Sequence, residues 1–185
     1  MIELCSRSPI KDDHHQVRSQ REFWALKKQT RGHSMRRQQA IKTSQTVMNA
    51  TPGTYILVMH LEHPIHITIG KQPSQHFLSG YYLYIGSAFG SGGLRARVGR
   101  HLRDKKKMRW HIDYLLAHTS ITAVWFQTNQ RLECTWSKTI ASNEAATAIK
   151  HFGASDCRCL SHLYTFKSLP DIDLNPDYRI IYPCY

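Results

Sequence analysis

A strand, a glycine-rich turn and a helix follow one another in residues 80–102, GYYLYIGSAFGSGGLRARVGRHL. Residues 80–86 are aromatic and branched aliphatic side chains between two glycines, a pattern that predicts a buried strand. Residues 90–93 are too rich in glycine for either regular element and predict a turn. Residues 94–102 carry apolar side chains at every fourth position, which is the spacing of one helix face. The unit therefore predicts a sheet with a helix packed on it.

Further strands and helices surround this unit. Thr51-Pro52-Gly53 indicates a turn, after which we predict strands over residues 54–61 and 66–70. The elements predicted downstream are a helix over 110–118, a strand over 121–127, a helix over 132–149, a loop over 152–160 and a strand over 162–166. The resulting order, β-β-β-α-α-β-α-β, favours an α/β (α+β) domain in which helices flank a small, mostly antiparallel sheet.

The chain divides into three parts by composition. Residues 1–50 are rich in Gln, Ser, Arg and His without a sustained period, and we expect a basic, mostly disordered extension with one short helix over 19–29. Residues 51–170 form the predicted domain. Residues 171–185 are rich in turn-forming residues and are interpreted as a tail without assigned structure.

The composition excludes several classes of protein. With 41% hydrophobic residues, a chain of 185 residues can form a core, so wholesale disorder is excluded. The longest apolar runs, such as residues 56–59, are far short of the roughly 20 residues of a membrane helix, so no membrane partner is expected. The N-terminus carries charges where a signal peptide is apolar, and five cysteines at uneven spacings do not indicate a disulfide framework. We expect a cytoplasmic protein.

Positive charge is concentrated in one short stretch. The formal net charge is +12, and residues 95–109 hold eight basic residues and one acid. A stripe of this kind is typical of proteins that bind the phosphates of nucleic acids, although a solvated helix face that keeps the protein soluble is the alternative. The predicted nucleic-acid-binding residues are Arg95, Arg100, Arg103, Lys105, Lys106, Lys107 and Arg109.

Four short motifs occur in a fixed order along the chain. Gly53-Thr54-Tyr55 begins one strand and Tyr84-Ile85-Gly86 ends another. Leu94-x-x-Arg97-Val98-x-x-His101 follows on a helix, and Glu133 begins the next long helix. This order resembles the GIY-YIG nuclease superfamily, with Thr54 standing where the first motif usually has Ile. The resemblance implies a GIY-YIG-like fold.

A fifth element narrows the resemblance. Glu133-Cys134, together with residues 155–163, SDCRCLSHL, is similar to one uncharacterised branch of that superfamily. Members of that branch are small proteins that are sometimes fused to repair enzymes of the endonuclease III type. The similarity extends from about Gly53 to Phe166 and leaves the first fifty residues uncovered.

The resemblance also implies which residues carry the chemistry. It makes Glu133 the ligand of Mg²⁺ or Mn²⁺, Arg97 the group that binds the scissile phosphate, and Tyr55 and Tyr84 active-site phenols. His101, one helical turn beyond Arg97, would orient a phosphate or share in proton transfer. Each position has a structural alternative: an acid that stabilises a helix N-terminus at Glu133 and packed sheet aromatics at the tyrosines. Arg95 is the rival of Arg97, although it lies on another helix face.

Two further groups carry open hypotheses. Cys134, Cys157, Cys159 and His162 are four possible zinc ligands, and buried free thiols beside a hydrogen-bonded histidine are the alternative. The turn over residues 90–93 precedes a helix N-terminus, where free backbone amides can accept a phosphate. It is not a P-loop, since no Gly-Lys-Ser/Thr follows it.

The sequence as a whole favours a metal-dependent endonuclease that hydrolyses phosphodiester bonds, in DNA rather than RNA, in repair or processing. The second hypothesis is a non-catalytic nucleic-acid-binding module that retains the GIY-YIG fold. The third is a structural protein whose basic stretch only aids solubility. The sequence predicts no particular protein partner.

Overall fold

The computed structural model of the chain describes residues 48–70 and 72–182. The helix predicted over 19–29 lies outside the described residues, as does nearly all of the predicted basic extension. The strands are β1 (Gly53–Leu61), β2 (Ile65–Ile67), β3 (Gln75–Phe77), β4 (Gly80–Ser87), β5 (Ser120–Thr128), β6 (Thr147–Ala148), β7 (Leu163–Phe166) and β8 (Tyr178–Ile181). The helices are α1 (Gly93–His101), α2 (His111–Leu116) and α3 (Glu133–Ala141).

One sheet of six strands forms the centre of the described fold. Its order is β6-β7-β4-β1-β5-β8, and every neighbouring pair is antiparallel. Strands β2 and β3 form a separate antiparallel pair. The predicted α+β class with a small antiparallel sheet is therefore confirmed.

Both faces of the sheet are covered, which explains why β1 reads as a continuous apolar run. Tyr55 and Leu57 pack in a core that also contains Leu94 and Val98 of α1. Ile56 and its neighbours on the other face pack in a second core that contains residues of α3. Because successive side chains of a strand point to opposite faces, β1 presents alternate residues to the two cores.

Two predicted elements differ from those observed. The helix predicted over 132–149 ends at Ala141, and β6 occupies part of its predicted length. After Ala141, the Asn143 side chain accepts a hydrogen bond from the Ala145 N–H, a local turn contact that competes with helix continuation. The strand predicted over 66–70 is instead β2, whose partner β3 the sequence pattern did not reveal.

The segment after Pro170, left unassigned from the sequence, takes part in the fold. Its strand β8 pairs with β5 at one edge of the sheet. Ile172 and Leu174 are buried in the core that contains α3. Among residues 48–70 and 72–182, no helix combines the length and apolar character needed to cross a bilayer.

A buried ion pair joins α1 to α2. Both carboxylate oxygens of Asp113 accept hydrogen bonds from the Arg100 guanidinium, each at 2.8 Å. The backbone N–H groups of Arg109 and Trp110 donate to the same carboxylate at 2.9 Å. Burial by itself would raise the pKa of Asp113, but these four hydrogen bonds hold that pKa well below its usual range.

We expect Asp113→Asn to remove an acid-sensitive part of the stability. Because the pKa of Asp113 is lowered on folding, its contribution is present above the unfolded pKa of about 3.9 and is lost as the pH falls below it. At pH 7 the variant should lose about 1–3 kcal/mol of the free energy of unfolding, since the half-buried Arg100 loses its carboxylate partner and keeps only the Lys107 carbonyl. Urea denaturation at several pH values measures both effects.

The exposed Asp171 provides the matched control. Asp171→Asn should change the free energy of unfolding by no more than about 0.5 kcal/mol at any of these pH values. Equal pH dependence in Asp113→Asn and the wild type would show that the ion pair does not contribute as described.

Candidate active site

A cleft opens at the end of the sheet where β1 begins and β4 ends. Its volume is about 450 Å³. Four of the five residues predicted for phosphodiester hydrolysis line it, namely Tyr55, Tyr84, Arg97 and Glu133, and so do three of the possible zinc ligands. The other polar side chains that line it include Arg131, Asp156, Cys157 and His162. The cleft therefore combines phenols, guanidinium groups, carboxylates, a thiol and an imidazole on one surface.

The backbone register of β1 and β4 places the Tyr55 phenol. Tyr55 and Gly86 are directly opposed in the antiparallel pair. A Cβ atom at Gly86 would overlap the ring and the hydroxyl of Tyr55. Only glycine at this position therefore leaves room for the phenol to lie across the end of β4.

His101 lies beneath Tyr55 and not on the cleft surface. Its Nε2 atom is 2.8 Å from the Tyr55 hydroxyl, and the residue is only 3% exposed. Burial, and then the charge of Lys106, lower the pKa of His101 to about 3, so the imidazole is neutral. The Nδ1 atom has no hydrogen-bond partner among the described residues. His101 thus reaches the cleft through Tyr55, and its ring also meets that of Tyr84 edge-on, with 6.3 Å between the ring centres.

Both phenols of the cleft are protonated in this environment. Burial raises the pKa of Tyr55 well above its usual value, and the nearby Arg97 charge lowers it only in part. Burial also raises the pKa of Tyr84 to about 12. A role for either phenol as a base therefore requires additional positive charge in the cleft.

Arg97 is held in the cleft by an aromatic side chain. Its guanidinium carbon lies 4.4 Å from the centre of the Trp110 ring, within the range of a cation–π contact. The Arg100 guanidinium lies over the same ring at 4.0 Å. Arg95, its rival in the sequence, is exposed and does not line the cleft. The structure thus brings Arg97 together with the tyrosines.

The predicted nucleic-acid-binding stripe is divided between two kinds of environment. Arg100 is bound to Asp113, and the Lys106 amine donates to the His101 carbonyl at 2.6 Å. The remaining members of the predicted set are exposed: Arg95, Arg103, Lys105, Lys107 and Arg109. Five of the seven predicted contacts therefore keep their side chains at the surface.

The first three amides of α1 are not free. The N–H groups of Gly93, Leu94 and Arg95 donate to the carbonyls of Gly90, Thr51 and Asn49, at 3.1, 3.0 and 3.2 Å. A phosphate at this helix N-terminus therefore cannot use these three amides, because Gly90 and the entry segment before β1 already accept their hydrogen bonds.

Thr54 connects β1 to the beginning of α3. Its hydroxyl donates to the Gln130 carbonyl at 2.7 Å and accepts from the Leu132 N–H at 2.9 Å. One carboxylate oxygen of Glu133 lies 3.4 Å from the same hydroxyl. The threonine at this motif position thus fixes the segment that carries Glu133 into the cleft.

The residues of the cleft fit a hard divalent ion. Glu133 is half-buried, and its carboxylate faces the cleft beside the Thr54 hydroxyl. Mg²⁺ is typically bound by one or two carboxylates and keeps several of its waters. One carboxylate in an open cleft that has room for water meets that requirement.

Cys134, Cys157, Cys159 and His162 form a cluster at the edge of the cleft that could hold a metal ion. Their ligand atoms all lie within 4.8 Å of one another. The Cys157 sulfur is 3.4 Å from the Nε2 atom of His162. The three cysteines form no disulfide within the described part of the chain. The tertiary structure thus joins Cys134 of α3 to the loop that carries the other three residues.

Hydrogen bonds among the thiols and burial shift the pKa values of the cluster. A hydrogen bond to the Cys159 thiol, and then burial, raise the pKa of Cys134 to about 12. Burial raises the pKa of Cys157 and lowers that of His162. Without a bound cation, Cys134, Cys157 and His162 are therefore neutral.

Several residues of the site were not found from the sequence. Arg131 lines the cleft and its guanidinium lies 4.0 Å from the centre of the Phe89 ring. Asp113 and Trp110 position the arginines of α1. Only Arg131 had a local signal, namely its position two residues before Glu133.

An antiparallel sheet flanked by helices, with a tyrosine-lined cleft at one end, defines a small α+β domain. A scan against models of protein families matches the one described as domain of unknown function DUF123, over residues 54–176. The chain therefore belongs to the DUF123 family, which is GIY-YIG-like. Searches of the curated proteins and of the solved structures found no match.

We expect Gly86→Ala to destabilise the fold and to displace the Tyr55 phenol, because the added methyl group overlaps that ring. The free energy of unfolding should fall by about 1–3 kcal/mol, as for other overpacked sites. Gly90→Ala is the control, since a Cβ atom there has no neighbour within 4 Å, and its change should stay within about 0.5 kcal/mol. Urea denaturation of the two variants gives the comparison, and equal stabilities would contradict the close approach.

Proposed function

We propose that this protein is a metal-dependent endonuclease that hydrolyses phosphodiester bonds in DNA. The observation that carries the proposal is the convergence of Tyr55, Tyr84, Arg97 and Glu133 on one cleft. These residues come from three separate parts of the chain and are the ones that the GIY-YIG resemblance implies. The membership in a GIY-YIG-like family supports the same function.

Substrate binding is assigned to the arginines. Arg97 can donate two parallel hydrogen bonds to the scissile phosphate, and its contact with Trp110 restricts the guanidinium to the cleft. The exposed basic residues of the stripe contact phosphates further along the strand. These contacts do not distinguish one base from another, so they supply affinity rather than sequence specificity.

Hydrolysis consumes one water and converts the phosphodiester to a phosphate monoester and an alcohol. When bound at Glu133, Mg²⁺ or Mn²⁺ supplies positive charge that polarises the phosphoryl oxygen and stabilises the leaving oxygen. Arg97 stabilises the negative charge that develops on the phosphate. Tyr55 and Tyr84 orient the attacking water. In the phenolate form that the added positive charge would allow, the Tyr55 Oη atom takes one proton from that water, and this proton passes through solvent to the leaving oxygen, which becomes the alcohol.

His101 acts through Tyr55 and is a positioning residue in this proposal. Because its pKa is lowered to about 3, the imidazole is neutral and carries one proton. With that proton on Nε2, the ring donates to the Tyr55 oxygen at 2.8 Å and stabilises the phenolate form. The Nδ1 atom is then a buried acceptor without a partner, which costs less free energy than a buried N–H donor without a partner.

The direct test is cleavage of supercoiled plasmid and of branched or flapped DNA in Mg²⁺, in Mn²⁺ and in EDTA. The wild type should cleave only with the divalent ion. Glu133→Gln should lose at least about 100-fold in turnover, since a catalytic metal supplies several kcal/mol of transition-state stabilisation. Glu144→Gln, which removes an exposed carboxylate outside the cleft, should cleave at the wild-type rate.

DNA binding measured beside cleavage separates the two hypotheses on nucleic acid. Affinity that falls steeply with salt is expected of both, because Lys and Arg contacts release counterions. Salt-sensitive binding with no cleavage of any substrate would replace the proposed nuclease by a binding module. Absence of both would contradict each of them.

We expect Arg97→Ala to lose more turnover than Arg95→Ala, because only Arg97 lines the cleft. The loss at Arg97 should reach about 100-fold, as for the removal of one transition-state donor. Arg95→Ala should mainly weaken DNA binding and reduce its salt dependence by about one unit of slope. Cleavage rates and salt-dependent binding of the two variants provide the measurement, and the opposite order would show that Arg95 is the phosphate ligand.

A further inference from the structure

The Cys134, Cys157, Cys159 and His162 cluster has the dimensions of a tetrahedral metal site. Two ligands at about 2.0 and 2.3 Å from a tetrahedral ion are about 3.5 Å apart. The distance from the Cys157 sulfur to the His162 Nε2 atom is 3.4 Å. All four ligand atoms lie within 4.8 Å of one another although Cys134 is distant in sequence.

The donor set selects a soft cation. Three thiols and one imidazole form a Cys₃His set, which is typical of structural zinc sites. Thiolates disfavour Mg²⁺, whose preferred ligands are oxygen atoms. The cluster is therefore distinct in chemistry from Glu133, although Cys134 follows that residue directly. Four protein ligands also fill the coordination of a tetrahedral ion, which leaves no open position for substrate.

Hydrogen bonds from outside the cluster hold its ligands in place. The His162 backbone N–H donates to the Phe152 carbonyl at 2.8 Å, which fixes the segment that carries the imidazole. Ser137, one turn after Cys134 on α3, lies with its hydroxyl 2.8 Å from the Ser161 carbonyl. These contacts fix α3 against the loop on the side away from the solvent.

We propose that Cys134, Cys157, Cys159 and His162 bind one zinc ion that fixes the cleft wall carrying Glu133 and Tyr84. Its effect on catalysis rests on the proposed nuclease function. Cys134 directly follows Glu133, so an ion held there restrains the first turn of α3. The loop that carries Cys157 and Cys159 also lies close to Tyr84, since a Cβ atom at Gly153 would lie only 3.2 Å from the Tyr84 ring.

The experiment measures zinc in the full-length protein, purified without a metal-affinity step, by inductively coupled plasma mass spectrometry. We expect one zinc per chain in the wild type. Cys159→Ser should bind zinc more than about 100-fold more weakly, since even the loss of an outer contact costs about 10–100-fold. His118→Ala, which removes an exposed histidine outside the cluster, should keep one full equivalent.

A second measurement uses only the wild type, so it does not depend on whether a variant folds. Replacement of zinc by Co²⁺ should give the intense visible absorption of a tetrahedral, thiolate-bound ion. Removal of the ion by a chelator should lower the Tm, and one equivalent of zinc should restore it.

Three results would overturn the proposal: wild type without zinc, a Co²⁺ spectrum of octahedral type, or a disulfide among the three cysteines. Metal content and Tm are measured without DNA, so they are independent of the nuclease proposal. Bound zinc with no cleavage of DNA would leave the metal site standing and contradict the proposed function. Cleavage of DNA by a wild type that contains no zinc would support the proposed function and contradict the metal site.

Discussion

The close contact between the Tyr55 phenol and Gly86 is the constraint on which the cleft depends. The antiparallel register of β1 and β4 sets these residues opposite each other, and the missing side chain at Gly86 makes room for the phenol. The same phenol covers His101 and meets the face of the sheet on which α1 packs. The first turn of α3 reaches the opposite side of the cleft through the Thr54 hydroxyl. One strand pair thus positions groups on both faces of the sheet.

The antiparallel class could be predicted from the sequence because its signals are local, whereas Tyr55, Tyr84, Arg97 and Glu133 of the cleft were implied by the resemblance to the GIY-YIG superfamily. The strand–turn–helix unit carries strong periodicity, and the motif residues lie within or beside regular elements. The end of α3 could not be predicted, because Asn143 forms a turn where the apolar pattern would allow a helix to continue. Strand β8 was missed because its exposed position at a sheet edge leaves a weak pattern.

The electrostatic details were beyond a sequence argument because they depend on tertiary contacts. Arg100 belongs to the basic stripe, yet its guanidinium is held by Asp113, thirteen residues away. His101 was expected to orient a phosphate or to share in proton transfer, and its Nε2 atom lies against the hydroxyl of Tyr55, forty-six residues away. Cys134, Cys157, Cys159 and His162 were possible zinc ligands in the sequence, but only the fold shows that Cys134 reaches the loop that carries the other three. Charge and cysteine content identify such groups, but burial and partners decide what they do.

The central claim is that one cleft binds both a divalent ion and a phosphodiester. A crystal structure of the Tyr55→Phe variant with Mn²⁺ and a short DNA duplex tests it directly, because anomalous scattering locates the manganese without reference to activity. The account predicts a manganese peak at the Glu133 carboxylate and a backbone phosphate within hydrogen-bonding distance of Arg97. Manganese elsewhere, or DNA bound only along the exposed basic residues with the cleft free of phosphate, would contradict it.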